Sequence, residues 1–212
     1  MEKEYNVEVL HGFLVLEGLD GAGTTTQARM LQERLEKTFP HGSLLTCEPT
    51  ESFIGRAVRA ILKEEHSVAP GTLAKLFSVD RHNHLYHEID GIVPALESGL
   101  KVITDRYLFS SLAYQSIDRP FDEVWELNRY FPLPEHLIFL DISPEEGSRR
   151  LDGRGIDREL YEKTGLQEEI RENYFHVFSL YQESAMQIHI FDGALPQREL
   201  SEVIWNKLAL SE

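Results

Sequence analysis

The chain has 212 residues, 42% of them hydrophobic and 27% charged, enough for one α/β domain with a substantial core and short for two independent ones. Its 36 acidic against 21 basic side chains leave a net charge of −15, which argues against non-specific binding to nucleic acid or an anionic membrane. The single cysteine, Cys47, excludes an intramolecular disulfide and fits a reducing, cytoplasmic setting. No apolar run reaches the roughly 18 residues of a membrane span, and the acidic N-terminus lacks a secretory signal's apolar segment.

In chain order, residues 1–11 read as a polar leader. Phe13-Leu-Val-Leu-Glu17 is a short apolar run that opens into a glycine-rich stretch, as a buried parallel strand would. Thr24 to about Phe39 has helical spacing and is closed by Pro40 and Gly42. Ser43-Leu-Leu-Thr-Cys47 is a second strand. Residues 52–64 and 70–98 read as helices, with Pro70 and Gly71 marking the break between them. Lys101-Val-Ile-Thr-Asp105, Leu137-Ile-Phe-Leu-Asp141 and Ile188-His-Ile-Phe-Asp192 are the third to fifth strands, Pro144 opens a helix, and 196–210 is a closing helix. Strands alternating with helices predict a P-loop NTPase-type α/β fold. It would be a five-stranded parallel sheet with helices on both faces, in one domain over residues 1–212. Ligands of such sheets sit beyond the carboxyl ends of the strands, where the polar motifs fall.

Gly18-Leu-Asp-Gly-Ala-Gly-Thr-Thr25 has the frame G-x-x-x-x-G-x-[ST] between a strand and a helix. Its glycines let backbone N–H groups converge on phosphate oxygens, and Thr25 falls where a hydroxyl would meet Mg²⁺. The position before it, ordinarily lysine, is Thr24. A cation between the β- and γ-phosphates is therefore missing, and each 1.4 kcal/mol lost from the transition state is about tenfold in rate. Residues 149–162 form a charged, glycine-containing excursion that suits a short arginine-bearing lid, an ordinary solvated loop being the alternative.

Seven motifs in register resemble the thymidylate kinase family of P-loop nucleoside monophosphate kinases. They are the phosphate loop with Asp20, Glu48-Pro-Thr50, Leu76-Phe-Ser-Val-Asp-Arg81, Asp105-Arg-Tyr107, Ala113-Tyr-Gln115, the Arg154–Arg158 lid and Phe191-Asp-Gly-Ala194. The resemblance implies ATP-dependent phosphorylation of dTMP to dTDP with Mg²⁺, by a homodimer. It assigns the ATP site to Gly18, Leu19, Asp20, Gly21, Ala22, Gly23, Thr24 and Thr25, with Asp192, Gly193 and Ala194 holding adenine through their backbone. Mg²⁺ falls to Thr25 and Asp105. The acceptor falls to Phe77 stacked on thymine, Arg81 on its O4, Ser111 on the N3 side and Tyr114 under the deoxyribose. Core packing is the alternative for Phe77 and a surface ion pair for Arg81.

The resemblance also places Arg106 and Arg59 at the acceptor phosphate, Glu48 near that phosphate and the metal shell, and Asp20 on the sugar 3′-hydroxyl. Asp20, Arg106, Arg154 and Arg158 are its catalytic set. Two departures stand out: Thr24 replaces the loop lysine, and Cys47 replaces an arginine that bacterial members often place before Glu-Pro. Gly21 also stands where some eukaryotic members carry an arginine. The lid arginines 154 and 158 are therefore expected to carry the charge stabilisation. Another nucleoside or nucleotide kinase, or a nucleotide-binding protein with catalysis weakened or lost through Thr24, are the rival readings. His82, His84 and His87 are not expected to bind metal, since on a helix residues 82 and 84 point apart. Cys47 is expected to be a structural thiol, and Glu168, Glu169, Arg171 and Glu172 a solvated helix face.

Overall fold

Phe13, Leu14, Val15 and Leu16 are all fully buried, as a continuous apolar run requires when a strand is covered on both faces. They form the middle of β1 (Val9–Gly18), the centre of a five-stranded, all-parallel sheet whose other strands are β2 (Ser43–Cys47), β3 (Lys101–Asp105), β4 (Leu133–Asp141) and β5 (Gln187–Asp192), in the order β2-β3-β1-β4-β5. The computed structural model describes residues 7–153, 160–161 and 165–208. Around the sheet, in chain order, lie α1 (Thr24–Thr38), α2 (Phe53–Leu62), α3 (Thr72–Tyr86), α4 (Ile92–Glu97), α5 (Leu108–Tyr114), α6 (Phe121–Asn128), α7 (Pro144–Asp152), α8 (Gln167–Leu180) and α9 (Gln197–Leu208). This is the P-loop NTPase-type α/β fold expected from the strand–helix alternation.

Register brings the strand ends together. Leu16 pairs with Asp105, Asp105 with Cys47, Gly18 with Leu140 and Asp141 with Asp192, so Cys47, Asp105, Gly18, Asp141 and Asp192 line one edge of the sheet. Loops leaving that edge must converge, and they carry the motifs found in the sequence.

Two of the boundaries that differ from the sequence reading have a clear physical reason. The strand begins at Val9, inside the expected leader, because Val9 and Leu10 extend the ladder to Leu133 and Pro134 beyond a register shift between Leu10 and Leu14. The expected helix over 70–98 is broken into α3 and α4. A Cβ on Gly91 would lie 2.4 Å from the His87 carbonyl oxygen, so the chain turns there on the one residue that fits. Pro94 then sits in the first turn of α4, where its missing N–H costs nothing.

His136 on β4 and His189 on β5 meet with Nδ1 and Nε2 3.1 Å apart. Burial pushes both below the ordinary histidine range, His189 from 6.5 to about 4, aided by the neighbouring His136 ring. The unfolded chain then takes up protons below pH 6.5 that the folded chain refuses, so this contribution is intact above 6.5 and is lost as pH falls toward 4. We expect Tm to decline through that window and the decline to become shallower in His189→Gln. Parallel melting profiles of the two proteins would contradict this.

Candidate active site

The loop from Gly18 to Gly23 leaves β1 and enters α1. Gly21 has φ 86°, and a Cβ there would lie 2.6 Å from the Gly147 carbonyl oxygen, so α7 packs against bare backbone. The loop is the floor of a cavity of about 780 Å³ at the carboxyl ends of β1, β2 and β3. Leu19, Asp20, Gly21, Gly23, Thr24 and Thr25 line it from the loop, and Glu48, Arg59, Phe77, Arg81, Asp105, Arg106 and Tyr114 from the other side. Thr24 is buried with its methyl toward Gly18 and brings no charge to the loop.

The Thr25 hydroxyl donates to Asp105 Oδ2, while Asp105 Oδ1 is buried with no hydrogen-bond partner among the described residues. An orphaned carboxylate oxygen beside a hydroxyl, opposite a phosphate loop, fits a hard divalent cation such as Mg²⁺, which needs few protein ligands when phosphates supply the rest. His82, His84 and His87 form no metal cluster among the described residues. His84 instead joins its Nδ1 to Glu48 Oε1 at 3.0 Å and its Nε2 to Thr46 Oγ1 at 2.7 Å.

Arg106 follows β3 with φ 72°, a left-handed conformation that costs an arginine about 1–3 kcal/mol and persists only when its surroundings enforce it. Its N–H donates to the Leu16 carbonyl at 2.9 Å and its carbonyl accepts from Thr104 Oγ1 at 2.9 Å. Nη2 meets Asp20 Oδ1 at 2.5 Å, and Nη1 faces the Gly18 carbonyl, Ser110 Oγ, Tyr114 Oη and Tyr174 Oη. Burial alone would weaken its charge, but the Tyr114, Asp20, Tyr174 and Glu17 oxygens outweigh that and hold it cationic well beyond the ordinary arginine range. Burial raises the Tyr114 phenol, which therefore stays a hydrogen-bond donor.

Arg59, reaching in from α2, donates Nη2 to the Pro49 carbonyl and lies 3.1 Å from Glu51, while its buried Nε has no partner among the described residues. Cys47 lines the cavity half-buried, with Sγ 3.4 Å from Arg59 Nη2. Burial raises its pKa despite that arginine, as befits an unreactive thiol.

At the far end Arg81 is buried rather than on the surface. Nε and Nη2 meet Glu48 Oε2 at 2.9 and 2.7 Å, Nη2 also donates to Ser111 Oγ at 3.0 Å, and Nη1 donates to Asn128 Oδ1. Ser111 thus sits behind Arg81, fixing its plane, and is not among the cavity-lining residues. Gln115, one helical turn on, does line the cavity, and its buried Oε1 has no partner among the described residues. Spacing on the helix carrying Ser111 was the available signal for Gln115. Phe77 is 9% exposed and lines the same end, one turn before Arg81. Removing one partner of a buried ion pair strands the other, at about 3–5 kcal/mol. Arg81→Met is therefore expected to lower stability by about that much in chemical denaturation. A loss below about 1 kcal/mol would show that Glu48 is satisfied without it.

Asp192, Gly193 and Ala194 lie at the end of β5, the Ala194 N–H donating to Asp192 Oδ1 at 2.9 Å. Arg150 in the last turn of α7 ties this loop to the phosphate loop, with Nη2 3.0 Å from the Gly193 carbonyl and Nη1 3.4 Å from those of Gly21 and Ala22. Arg154 and Arg158 lie outside the described residues. Glu168 and Glu169 are exposed as expected, but Arg171 turns inward to bind Asp141 through two bonds of 2.7 and 2.9 Å. The residue that sequence reasoning missed altogether is Glu17, fully buried behind Arg106.

The family model described as thymidylate kinase matches residues 16–204. A Pyrococcus horikoshii protein described as a probable thymidylate kinase is 41% identical over 179 residues, covering 81% of this chain and 84% of its own. A Thermococcus onnurineus protein of the same description is 38% identical over 206 residues, covering 89% and 98%. A Treponema pallidum protein described as a putative thymidylate kinase is 39% identical over 172 residues, covering 81% of each. With a glycine-rich loop and a fixed arginine lining one cavity at one sheet edge, and a family match running from β1 to α9, the chain belongs to the thymidylate kinase family.

Proposed function

We propose that the protein transfers the γ-phosphoryl group of ATP to dTMP, giving ADP and dTDP, in nucleotide biosynthesis. The observation that carries the acceptor assignment is the pair of polar groups at the Phe77 end of the cavity. Arg81 keeps one Nη1 N–H beyond its bonds to Glu48, Ser111 and Asn128, and Gln115 offers an unpartnered acceptor oxygen, a pair complementary to thymine, which presents an acceptor at O4 and a donor at N3–H. Phe77 supplies an apolar face for the ring. Cytosine reverses both hydrogen-bonding groups and would leave two buried partners unmet, at about 1–3 kcal/mol each.

Asp20 and Tyr114 face the acceptor sugar, and Arg106 and Arg59 its phosphate. The phosphate loop holds the donor phosphates through backbone N–H groups, and Asp192, Gly193 and Ala194 hold its base. Thr25 and Asp105 would hold Mg²⁺, which neutralises charge across the donor phosphates. Chemistry of this kind needs alignment and charge neutralisation more than a general base. Arg154 and Arg158 are the residues proposed to supply the cation that Thr24 lacks.

Equilibrium titration with dTMP, dUMP, dCMP and dGMP tests the acceptor assignment. dTMP is expected to bind most tightly, dUMP several-fold more weakly for want of one methyl, and dCMP at least about 10²-fold more weakly. Equal affinity for dCMP would overturn it. The exposed face of α3, with Val79 and Tyr86 half open to solvent at helical spacing, supports a homodimer, and sedimentation as a monomer alone would contradict that. The described residues contain no helix long and apolar enough to cross a membrane, in keeping with a cytoplasmic enzyme.

A further inference from the structure

Glu17 is the last side chain of β1 before the phosphate loop, and it is completely buried. A carboxylate in such a place must be fully hydrogen-bonded or it will not persist. Oε1 accepts from the Tyr107 N–H at 2.9 Å and the Ser110 N–H at 3.1 Å; Oε2 accepts from Ser110 Oγ at 2.6 Å and Tyr174 Oη at 2.8 Å. The first of these donors is the peptide N–H immediately after Arg106, the residue held at φ 72°. The two hydroxyls are the same ones that face Arg106 Nη1, Ser110 Oγ at 3.1 Å and Tyr174 Oη at 3.5 Å.

Counting hydrogens fixes the direction of this network. Each hydroxyl has one hydrogen. With Glu17 ionised, both point at Oε2, so the lone pairs of Ser110 and Tyr174 are left for the guanidinium N–H groups. A proton on Oε2 must be donated to one hydroxyl, whose own hydrogen then turns away, toward the other hydroxyl 2.9 Å off or toward Arg106, so fewer lone pairs face the guanidinium. We propose that Glu17 is a positioning residue for Arg106, holding its strained backbone through the Tyr107 N–H and its guanidinium through Ser110 and Tyr174, without itself reaching the cavity. The proposal rests on reading Arg106 as the clamp on the acceptor phosphate.

The charged or titratable groups facing Glu17 are Arg106 from the β3–α5 turn, Tyr114 from α5 and Tyr174 from α8, with Asp20 beyond the arginine. Burial raises the Glu17 pKa from 4.5 to about 7, against the lowering effects of Arg106, Ser110, Tyr174 and the Tyr107 N–H. The network therefore weakens as pH falls through neutrality, and phosphoryl transfer weakens with it.

Steady-state kinetics of ADP release across pH 5.5–9 (roughly the span of that titration), on wild type, Glu17→Gln, Tyr174→Phe and Arg106→Ala, test this. Glu17→Gln is expected to lower kcat by about 10²-fold with the KM for ATP nearly unchanged, and to lose the acidic limb near neutrality. Tyr174→Phe keeps three of the four carboxylate bonds and the fold, and is expected to move kcat the same way by a smaller factor, roughly tenfold. Should Glu17→Gln not fold, Tyr174→Phe decides alone. Wild-type kcat and an unaltered pH profile in whichever of these variants folds, while Arg106→Ala is inactive, would overturn the role of Glu17. Substantial turnover in Arg106→Ala would instead overturn the clamp reading beneath it.

Discussion

Arg106→Ala is expected to lower kcat by about 10³-fold or more while the protein remains folded, the scale of removing an arginine from a transferring phosphoryl group. Of the other arginines lining the cavity, Arg29 is exposed on α1 and the remaining two are already engaged. Arg81 is bound by Glu48, Asn128 and Ser111, and Arg59 by the Pro49 carbonyl and Glu51. The fold should survive because the carboxyl group left behind can neutralise itself: Glu17, already raised to about 7 by burial, loses the coulombic attraction that lowers it and becomes protonated at neutral pH. Arg106→Lys retains the charge but not the fork that spans Asp20 and the hydroxyls, and should recover only part of the loss. Circular dichroism beside ADP-release kinetics checks both halves. Near wild-type turnover in Arg106→Ala would remove this residue from the mechanism.

The second large effect concerns the charge that Thr24 does not supply. If the lid arginines carry it, Arg158→Ala should cost on the order of 10³-fold in kcat with ATP affinity little changed. Thr24→Lys should then restore part of that loss, since a lysine in the loop would place a cation between the same phosphates. In the otherwise wild-type protein the same lysine should matter much less, because the position is served already. Comparing the two single variants with the double variant separates these outcomes. Arg158→Ala turning over like wild type would locate the charge elsewhere, and independent, additive effects would show that the two positions do not serve the same phosphates.

Most of the fold was legible because most of the strands are apolar runs that end on a carboxylate. Phe13–Glu17, Lys101–Asp105 and Ile188–Asp192 all announce themselves by composition, and parallel pairing then brings their ends to one edge. The early start of β1 was not legible, since Val9 and Leu10 are too short an apolar pair among polar neighbours to mark a strand until β4 supplies the partner. Gly91 was overlooked for a similar reason: its demand is a contact with the His87 carbonyl, and only the folded backbone shows it.

For the site, most of the described motif residues converge on one cavity, with Ser111, Asp192, Gly193 and Ala194 among the exceptions, but the division of labour among them came from geometry. Ser111 faces Arg81 rather than the cavity, because the guanidinium takes its hydroxyl as an acceptor. Gln115 belongs to a motif that the sequence already singled out, yet only its unpartnered oxygen gives it a role. Glu17 carries no sequence signal at all. A carboxylate at the end of an apolar strand reads as the first polar residue of a loop, and its burial depends on Ser110 and Tyr174, 93 and 157 residues away.

The central claim is that this cavity passes a phosphoryl group from ATP to dTMP. Incubating the protein with ATP, Mg²⁺ and dTMP, and following the products by phosphorus-31 NMR, tests it most directly. dTDP and ADP are expected to appear in equal amounts, and dCMP in place of dTMP is expected to give little product. Release of inorganic phosphate without dTDP, or phosphorylation of another monophosphate in preference to dTMP, would contradict it.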